Sequence, residues 1–379
     1  MTSPTILANA RLILPDTTRT GGVVMRDGQI EALLDGATVP PGGIDCGGDW
    51  LAPGLVELHT DNLERHVQPR PGVAWPPVAA IVAHDAELAV CGVTTVLDSM
   101  RVGSIPWQRD YRPYARGLAN QLLAIRDQDV LRISHHLHLR AEICSETLIE
   151  ELEEFGPTDR VRLVSMMDHT PGQRQFRDIS MLAQFLKGRY GMDDESFDTY
   201  MDQLVALRES VGSSHEEAAV AAARRLGAVL ASHDDTTAEQ VAESAAYGVK
   251  LAEFPTTKEA ATACHTHGIL TILGAPNLIR GASHSGNIAA HELAREGLLD
   301  IISSDYVPSA LLSAAMLLAD LWDDLPRAMA TVTATPAAAV WLDDRGRIAP
   351  GLRADLIRFS MVDDTPILRE TWVQGRRVA

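Results

Sequence analysis

Eight apolar runs rich in β-branched residues recur along the middle of this chain, most of them separated by stretches of helical character. They are LAPGLVELH (51–59), GVTTVLDS (92–99), HHLHLRAE (135–142), RVRLVSMMDH (160–169), GAVLASHDD (227–235), GVKLAEF (248–254), GILTILGAP (268–276) and LLDIISSDY (298–306). Helical segments such as EEAAVAAARRLG (216–227) and TAEQVAESAAYG (237–248) lie between them. Strand–helix alternation builds parallel sheets, and eight repeats close a (β/α)8 TIM-type barrel before they extend an open one. A barrel takes about 250 residues, so a chain of 379 has roughly a third left over.

The two ends supply that remainder. Residues 1 to about 50 read as short strands, with the MRDG tetrad between apolar runs as a hairpin signal. The last 40 or so residues (RGRIAPG, ADLIRFS, RETWVQGRRVA) read the same way. Chain termini often lie close together. The expected division is a small β-sandwich domain from residues 1–50 plus 341–379, and a metal-dependent hydrolase barrel from 51–340. The longest break in the alternation, Thr170 to about Ser214, is expected to be a helical excursion over the barrel mouth.

The chemistry sits where the runs end. The first closes on His59, Thr60 and Asp61, the third on Glu142, the fourth on Asp168 and His169, the fifth on His233, Asp234 and Asp235, the eighth on Asp305. In a barrel these positions converge on the C-terminal face, where active sites are built. One such histidine is ordinarily a packing or capping residue; several on successive strands point to a metal site. Imidazole with carboxylate suits Zn²⁺, Mn²⁺, Fe²⁺ or Co²⁺. The expected ligands are His59, Asp61, Glu142, His169, His233 and Asp305. They would hold two divalent ions, Glu142 bridging them and Asp305 also accepting a proton from water. Asp305 and Glu142 are thus the catalytic candidates. His66, His84, His135, His136 and His138 read as structural, and His265 and His267 precede a strand, at the wrong end of the barrel.

The longer motifs are PGLVELHTDNLERHVQPRPGVAWP (53–76), GVTTVLDS (92–99), MDHTPGQRQFRD (167–178), GAPNLIRGASHSGN (274–287) and GLLDIISSDYVPS (297–309). With the strand-end pattern they resemble the amidohydrolase superfamily over essentially the whole chain. Within it they resemble the PhnM family of the carbon–phosphorus lyase pathway, the alpha-D-ribose 1-methylphosphonate 5-triphosphate diphosphatases. Asp61 stands where the superfamily usually has a second histidine, and Glu142 where many members carry a modified lysine. The later histidines usually fall on strands five and six, whereas here the count gives four and five. The resemblance implies hydrolysis of a ribose 5-triphosphate to the 5-phosphate and pyrophosphate, in phosphonate catabolism.

A triphosphate needs cations around it. Arg174, Arg177, Lys187, Arg189 and Arg280 are candidates, arginine's planar fork matching phosphate oxygens in pairs. The loop after the seventh strand offers His284, Ser285 and Asn287. Asn62 is a further substrate contact unless it caps the helix that DNLER begins. Two other readings stand beside this one: a superfamily hydrolase acting on a C–N bond, which needs fewer cations at the mouth, and a non-catalytic metal-binding subunit of a phosphonate-processing assembly.

A net charge of −18 argues against a nucleic-acid partner, but a local arginine cluster can still bind an anionic small molecule. The four cysteines are scattered, as expected of reduced thiols in a cytoplasmic protein. No signal peptide is evident at the N-terminus. The most apolar helix, Ser309 to Trp322, falls short of a membrane span and reads as buried. No segment reports an interface, so homo-oligomerisation is left open.

Overall fold

The computed structural model describes residues 3–70, 72–105, 112–170, 174, 193–283 and 286–379. The terminal strands are β1 (Thr5–Ile13), β2 (Thr18–Arg26), β3 (Gln29–Asp35), β4 (Ile44–Asp45) and β5 (Trp50–Pro53). The central ones are β6 (Leu55–Thr60), β7 (Val93–Val102), β8 (Ser134–Glu142), β9 (Val161–Met167), β10 (Val229–His233), β11 (Leu251–Glu253), β12 (Leu270–Gly274) and β13 (Ile301–Ser303). After them come β14 (Leu356–Val362), β15 (Thr365–Val373) and β16 (Arg376–Arg377).

Strands β6 to β13 pair in sequence order, all parallel. The eight apolar runs are these eight strands, so His169 follows strand four and His233 ends strand five. A parallel bridge between Thr60 and Asp305 ties the first strand to the last. Side chains alternate across a strand, and β8 shows the consequence. Leu137, Leu139 and Ala141 pack outward with the surrounding helices, while His138, Arg140 and Glu142 share the opposite face. Val56, Leu97, Leu163, Ala231, Leu251, Ile272 and Ile301 fill the barrel with apolar volume below the site.

The terminal strands form one sheet in the order β16-β15-β14-β5-β1-β2-β3, with β4 on β1. Both ends of the chain therefore build it, joined where β14 runs antiparallel to β5. Leu7, Leu12, Val23, Met25, Leu51 and Trp372 make its own core. Ile13, Ala52, Phe359 and Val373 pack instead with Leu55, Leu88 and Leu311 of the barrel, which seats the sheet against it.

The expected excursion ends in a long helix, Asp194–Leu226, that continues into the helix before β10. Asp193 caps its start by accepting from the Ser196 amide at 2.8 Å, and Gly227, at φ +64°, ends it. Arg177, Lys187 and Arg189 lie outside the described residues. The apolar helix spans Ala310–Trp322 and is largely buried. Among the described residues no helix is long and apolar enough to cross a membrane.

Candidate metal centre and active site

The strand ends deliver their side chains to one cavity of about 230 Å³, lined by His59, Asp61, His169, His233, Asp234, Asp305, Arg140 and Arg280, with Asn277, Asn287, Phe254 and Tyr306. Among the described residues three groups of ligand-capable side chains have their atoms within 4.8 Å of one another; His59, His138 and Glu253, and His169, His233 and Asp234, belong to this site, and His84, Asp98 and His135 lie behind it.

Glu253, the last residue of β11 and fully buried, joins the two groups of this site. Its Oε1 lies 2.9 Å from His59 Nδ1 and 3.5 Å from His138 Nε2, and its Oε2 lies 3.0 Å from His233 Nδ1. Burial alone would raise its pKa, but the His59 imidazole, together with the His233 hydrogen bond, holds it well below the ordinary carboxylate range. In His59 burial works downward, yet the Glu253 carboxylate lifts the pKa above the usual value. His138 is neutral: burial lowers its pKa to about 3. Its Nδ1 sits 3.1 Å from the Leu58 carbonyl oxygen and its Nε2 2.8 Å from Ser165 Oγ.

Three buried atoms at this centre, His59 Nδ1, Glu253 Oε1 and Asp234 Oδ2, have no hydrogen-bond partner among the described residues. His59 Nδ1 and Glu253 Oε1 are close but misaligned for one, and so are His233 Nε2 and Asp234 Oδ2 at 3.2 Å. Buried polar atoms left unsatisfied cost about 1–3 kcal/mol each. Imidazole and carboxylate donors aimed at common space are what a divalent cation would satisfy, so the donor set fits one.

Backbone strain concentrates at the same rim. Asp234, Phe254 and Asp305 follow strands five, six and eight with φ of +55°, +54° and +56°. Such conformations cost about 1–3 kcal/mol and gather at functional sites. Phe254 sets its ring edge-on to His59 and His233, at 4.9 and 5.4 Å between centroids. Burial raises Asp305 to about 6, with Asp61 adding to the rise and His59 opposing it. Asp61, 4.0 Å from His59 Nε2, is held below its usual value against the pull of burial by Arg140, whose Nη1 donates to it at 2.5 Å.

Other expected residues fall elsewhere. Glu142 does not stand between the two groups. Its Oε2 is 2.7 Å from His169 Nδ1, so it orients that ring from behind. Asn62 opens the helix Asn62–Val67, its buried side chain is turned away from the cavity toward the helix Pro77–Val90, and its Nδ2 donates to His84 and Glu87 at 3.0 and 2.9 Å. Arg174 donates to the His233 carbonyl and to Asp235 at 2.9 and 2.6 Å, bracing the end of β10. Asp168 is clamped by Arg208 at 2.7 Å. Arg280 and Asn287 do line the cavity; His284 and Ser285 lie outside the described residues.

Behind Asn62 a buried polar chain runs between β7, β8 and the helix Pro77–Val90. His84 Nε2 donates to Asp98 at 2.8 Å, and His135 lies 2.7 Å from Asp98 and 3.3 Å from Asp85. Burial would lower the His135 pKa, but Asp98 and Asp85 raise it from 6.5 to about 9. Its stabilising charge is therefore fully present below about 6.5 and lost as pH rises through about 9. His135→Asn removes the cation shared by Asp98 and Asp85, which keep their bonds from His84 and from Arg132 and the Ile133 amide, and should cost about 1–3 kcal/mol near neutral pH. The gap to the parent protein in urea unfolding should narrow toward pH ~10; an equal gap at both pH values would refute a charged His135.

No family model matches the chain. It is 41% identical, over 98% of its length and all of the relative's, to the alpha-D-ribose 1-methylphosphonate 5-triphosphate diphosphatase of Escherichia coli K12. Among solved structures it is similar in fold to N-isopropylammelide isopropylaminohydrolase from Burkholderia multivorans (TM-score 0.64, 16% identity, 100% and 98% of the two chains). It is likewise similar to N-acetylglucosamine-6-phosphate deacetylase from Thermotoga maritima (TM-score 0.63, 14% identity, 99% of each chain). Such low identities speak to the fold alone, and that fold is the amidohydrolase barrel.

Proposed function

Because this chain belongs to the alpha-D-ribose 1-methylphosphonate 5-triphosphate diphosphatase family, we propose that it hydrolyses that 5-triphosphate to the 5-phosphate and pyrophosphate as a step of phosphonate catabolism in the cytoplasm. The observation that carries the reading is the single cavity in which imidazoles, carboxylates and two arginines, Arg140 and Arg280, meet. The division of labour we adopt gives the chemistry to the barrel, 51–340, and a supporting role to the terminal β-unit, 1–50 with 341–379.

His59, His138 and Glu253 on one side, and His169, His233 and Asp234 on the other, would hold two divalent ions, with Asp61 and Asp305 at the rim. Zinc is the first candidate, and manganese, iron or cobalt suit the same donors. Glu253 takes the central place expected of Glu142. When bound, such ions acidify water and shield phosphate charge. Asp305 accepts the proton of the attacking water. Arg280 and Arg140 neutralise the phosphate oxygens, and Arg174 acts through His233 and Asp235. Attack on the phosphorus nearest the ribose leaves pyrophosphate as the departing group.

The test is phosphorus NMR of metal-loaded protein with the ribose 1-methylphosphonate 5-triphosphate in oxygen-18 water. The expected result is pyrophosphate release with the heavy oxygen on the ribose 5-phosphate, abolished by a chelator and restored by divalent metal. Intact substrate with metal demonstrably bound would defeat the reading and turn the search to C–N bonds.

A further inference from the structure

A second cavity, of about 570 Å³, lies beside the first and shares two of its walls, Arg140 and His169. Its character is different. Val67 and Leu118 give it an apolar side, and Glu64, Arg112 and Tyr114 a polar one. The polar side is held in place by a connected set of bonds. Tyr114 donates its hydroxyl to Glu64 at 2.6 Å and accepts from the Arg101 amide at 2.9 Å. The Arg101 guanidinium lies 5.5 Å over the Tyr114 ring and donates to the carbonyls of Gly103 and Arg112. Arg101 thus pins the segment that presents Arg112, an exposed residue at the cavity wall. Arg140 stands at the junction of the two cavities, bonded to Asp61, with its buried Nε lacking a hydrogen-bond partner among the described residues.

The two ends of the proposed substrate differ as the two cavities do. The pyrophosphate end is anionic oxygen throughout, with no apolar surface and no hydroxyl to offer a carboxylate. The other end carries a sugar ring, hydroxyls, a methyl group and an anionic phosphonate. An apolar wall beside a hydroxyl acceptor and an arginine suits the second set, whereas a pyrophosphate would leave the apolar wall and the Glu64 acceptor unused. We infer that the second cavity is the subsite for the ribosyl 1-phosphonate end of the substrate, Arg112 pairing with the phosphonate oxygens and Glu64 accepting a ribose hydroxyl. This assignment rests on the proposed function, with the reacting phosphorus in the first cavity and Arg140 spanning the two.

Calorimetric binding of the product ribose 1-methylphosphonate 5-phosphate tests it without turnover. Arg112→Gln should weaken that binding about tenfold, as loss of one charge-assisted pair predicts, and Arg112→Lys should recover part of it. Binding of inorganic pyrophosphate should be unchanged. In kinetics, Arg112→Gln should raise KM for the methylphosphonate substrate far more than it lowers kcat. It should also erode the preference for that substrate over ribose 5-triphosphate. Equal product binding in Arg112→Gln and the parent would overturn the subsite, and weakened pyrophosphate binding would overturn the assignment of ends. A parent protein that binds the ribosyl product through Arg112 but releases no pyrophosphate would defeat the proposed activity and leave the subsite standing.

Discussion

Asp305→Asn is expected to fold normally and to lose about a hundred- to ten-thousandfold in kcat, the range that a positioned general base supplies. The variant separates chemistry from architecture because the architectural contacts of this residue are made by its backbone. The Asp305 amide donates to the His59 carbonyl at 3.2 Å, and its carbonyl accepts from the Asp61 amide and the Thr60 hydroxyl at 3.0 and 2.9 Å. Its φ of +56° is a conformation that asparagine tolerates as well as aspartate. Barrel closure and strand geometry should therefore survive, and the melting temperature should stay within a few degrees. What disappears is the carboxylate, which burial places at a pKa of about 6, suited to taking a proton near neutral pH. The check is steady-state turnover together with a metal count on the same preparation. Near-parental kcat would remove Asp305 from the mechanism, and loss of bound metal in step with loss of rate would recast it as a ligand.

The barrel was legible because its strands are buried on both sides, which writes each as a continuous apolar run, and because helical segments separate most of them. His59, Asp61, His169, His233 and Asp305 were legible as polar residues just where such runs stop, and the structure sets them round one cavity. Glu253 escaped the same criterion because its run continues for one more residue, into Phe254, and so read as apolar to the end. His138 and Arg140 carried a signal that went unused. They share the strand face of Glu142 by simple alternation, whereas His135 points the other way, into the helices. Asn62 and Arg174 show where such reading stops. Both leave the strand end, and the direction of a side chain there depends on the turn it enters. Asn62 starts a helix and is turned from the cavity toward His84 and Glu87, and Arg174 folds back on Asp235. The cavity beside the candidate metal centre was invisible for a related reason. Its walls come from the helix after β6, the end of β7, the segment around Arg112 and the end of β8, which no local pattern links.

Glu253→Gln, set against Glu142→Gln, should show which carboxylate lies at the heart of the site. A residue that only orients a metal-bound histidine typically costs about 10–100-fold in metal affinity when changed. That is the expectation for Glu142, whose contact is with His169 Nδ1 alone among the imidazoles. Glu253 touches His59 and His233 through different oxygens and approaches His138 as well, and its Oε1 has no hydrogen-bond partner among the described residues. The glutamine keeps the shape but removes the charge that offsets these rings. It also replaces one acceptor with an amide donor that faces either His59 or His233. Loss well beyond a hundredfold is therefore expected in metal affinity, and turnover should stay depressed even when excess metal is supplied. Titration of each apo-variant with zinc, followed by pyrophosphate release at saturation, reads both quantities. The reverse ranking, with Glu142→Gln the more damaging, would return the central role to Glu142 and make Glu253 the group that orients His59 and His233 from behind.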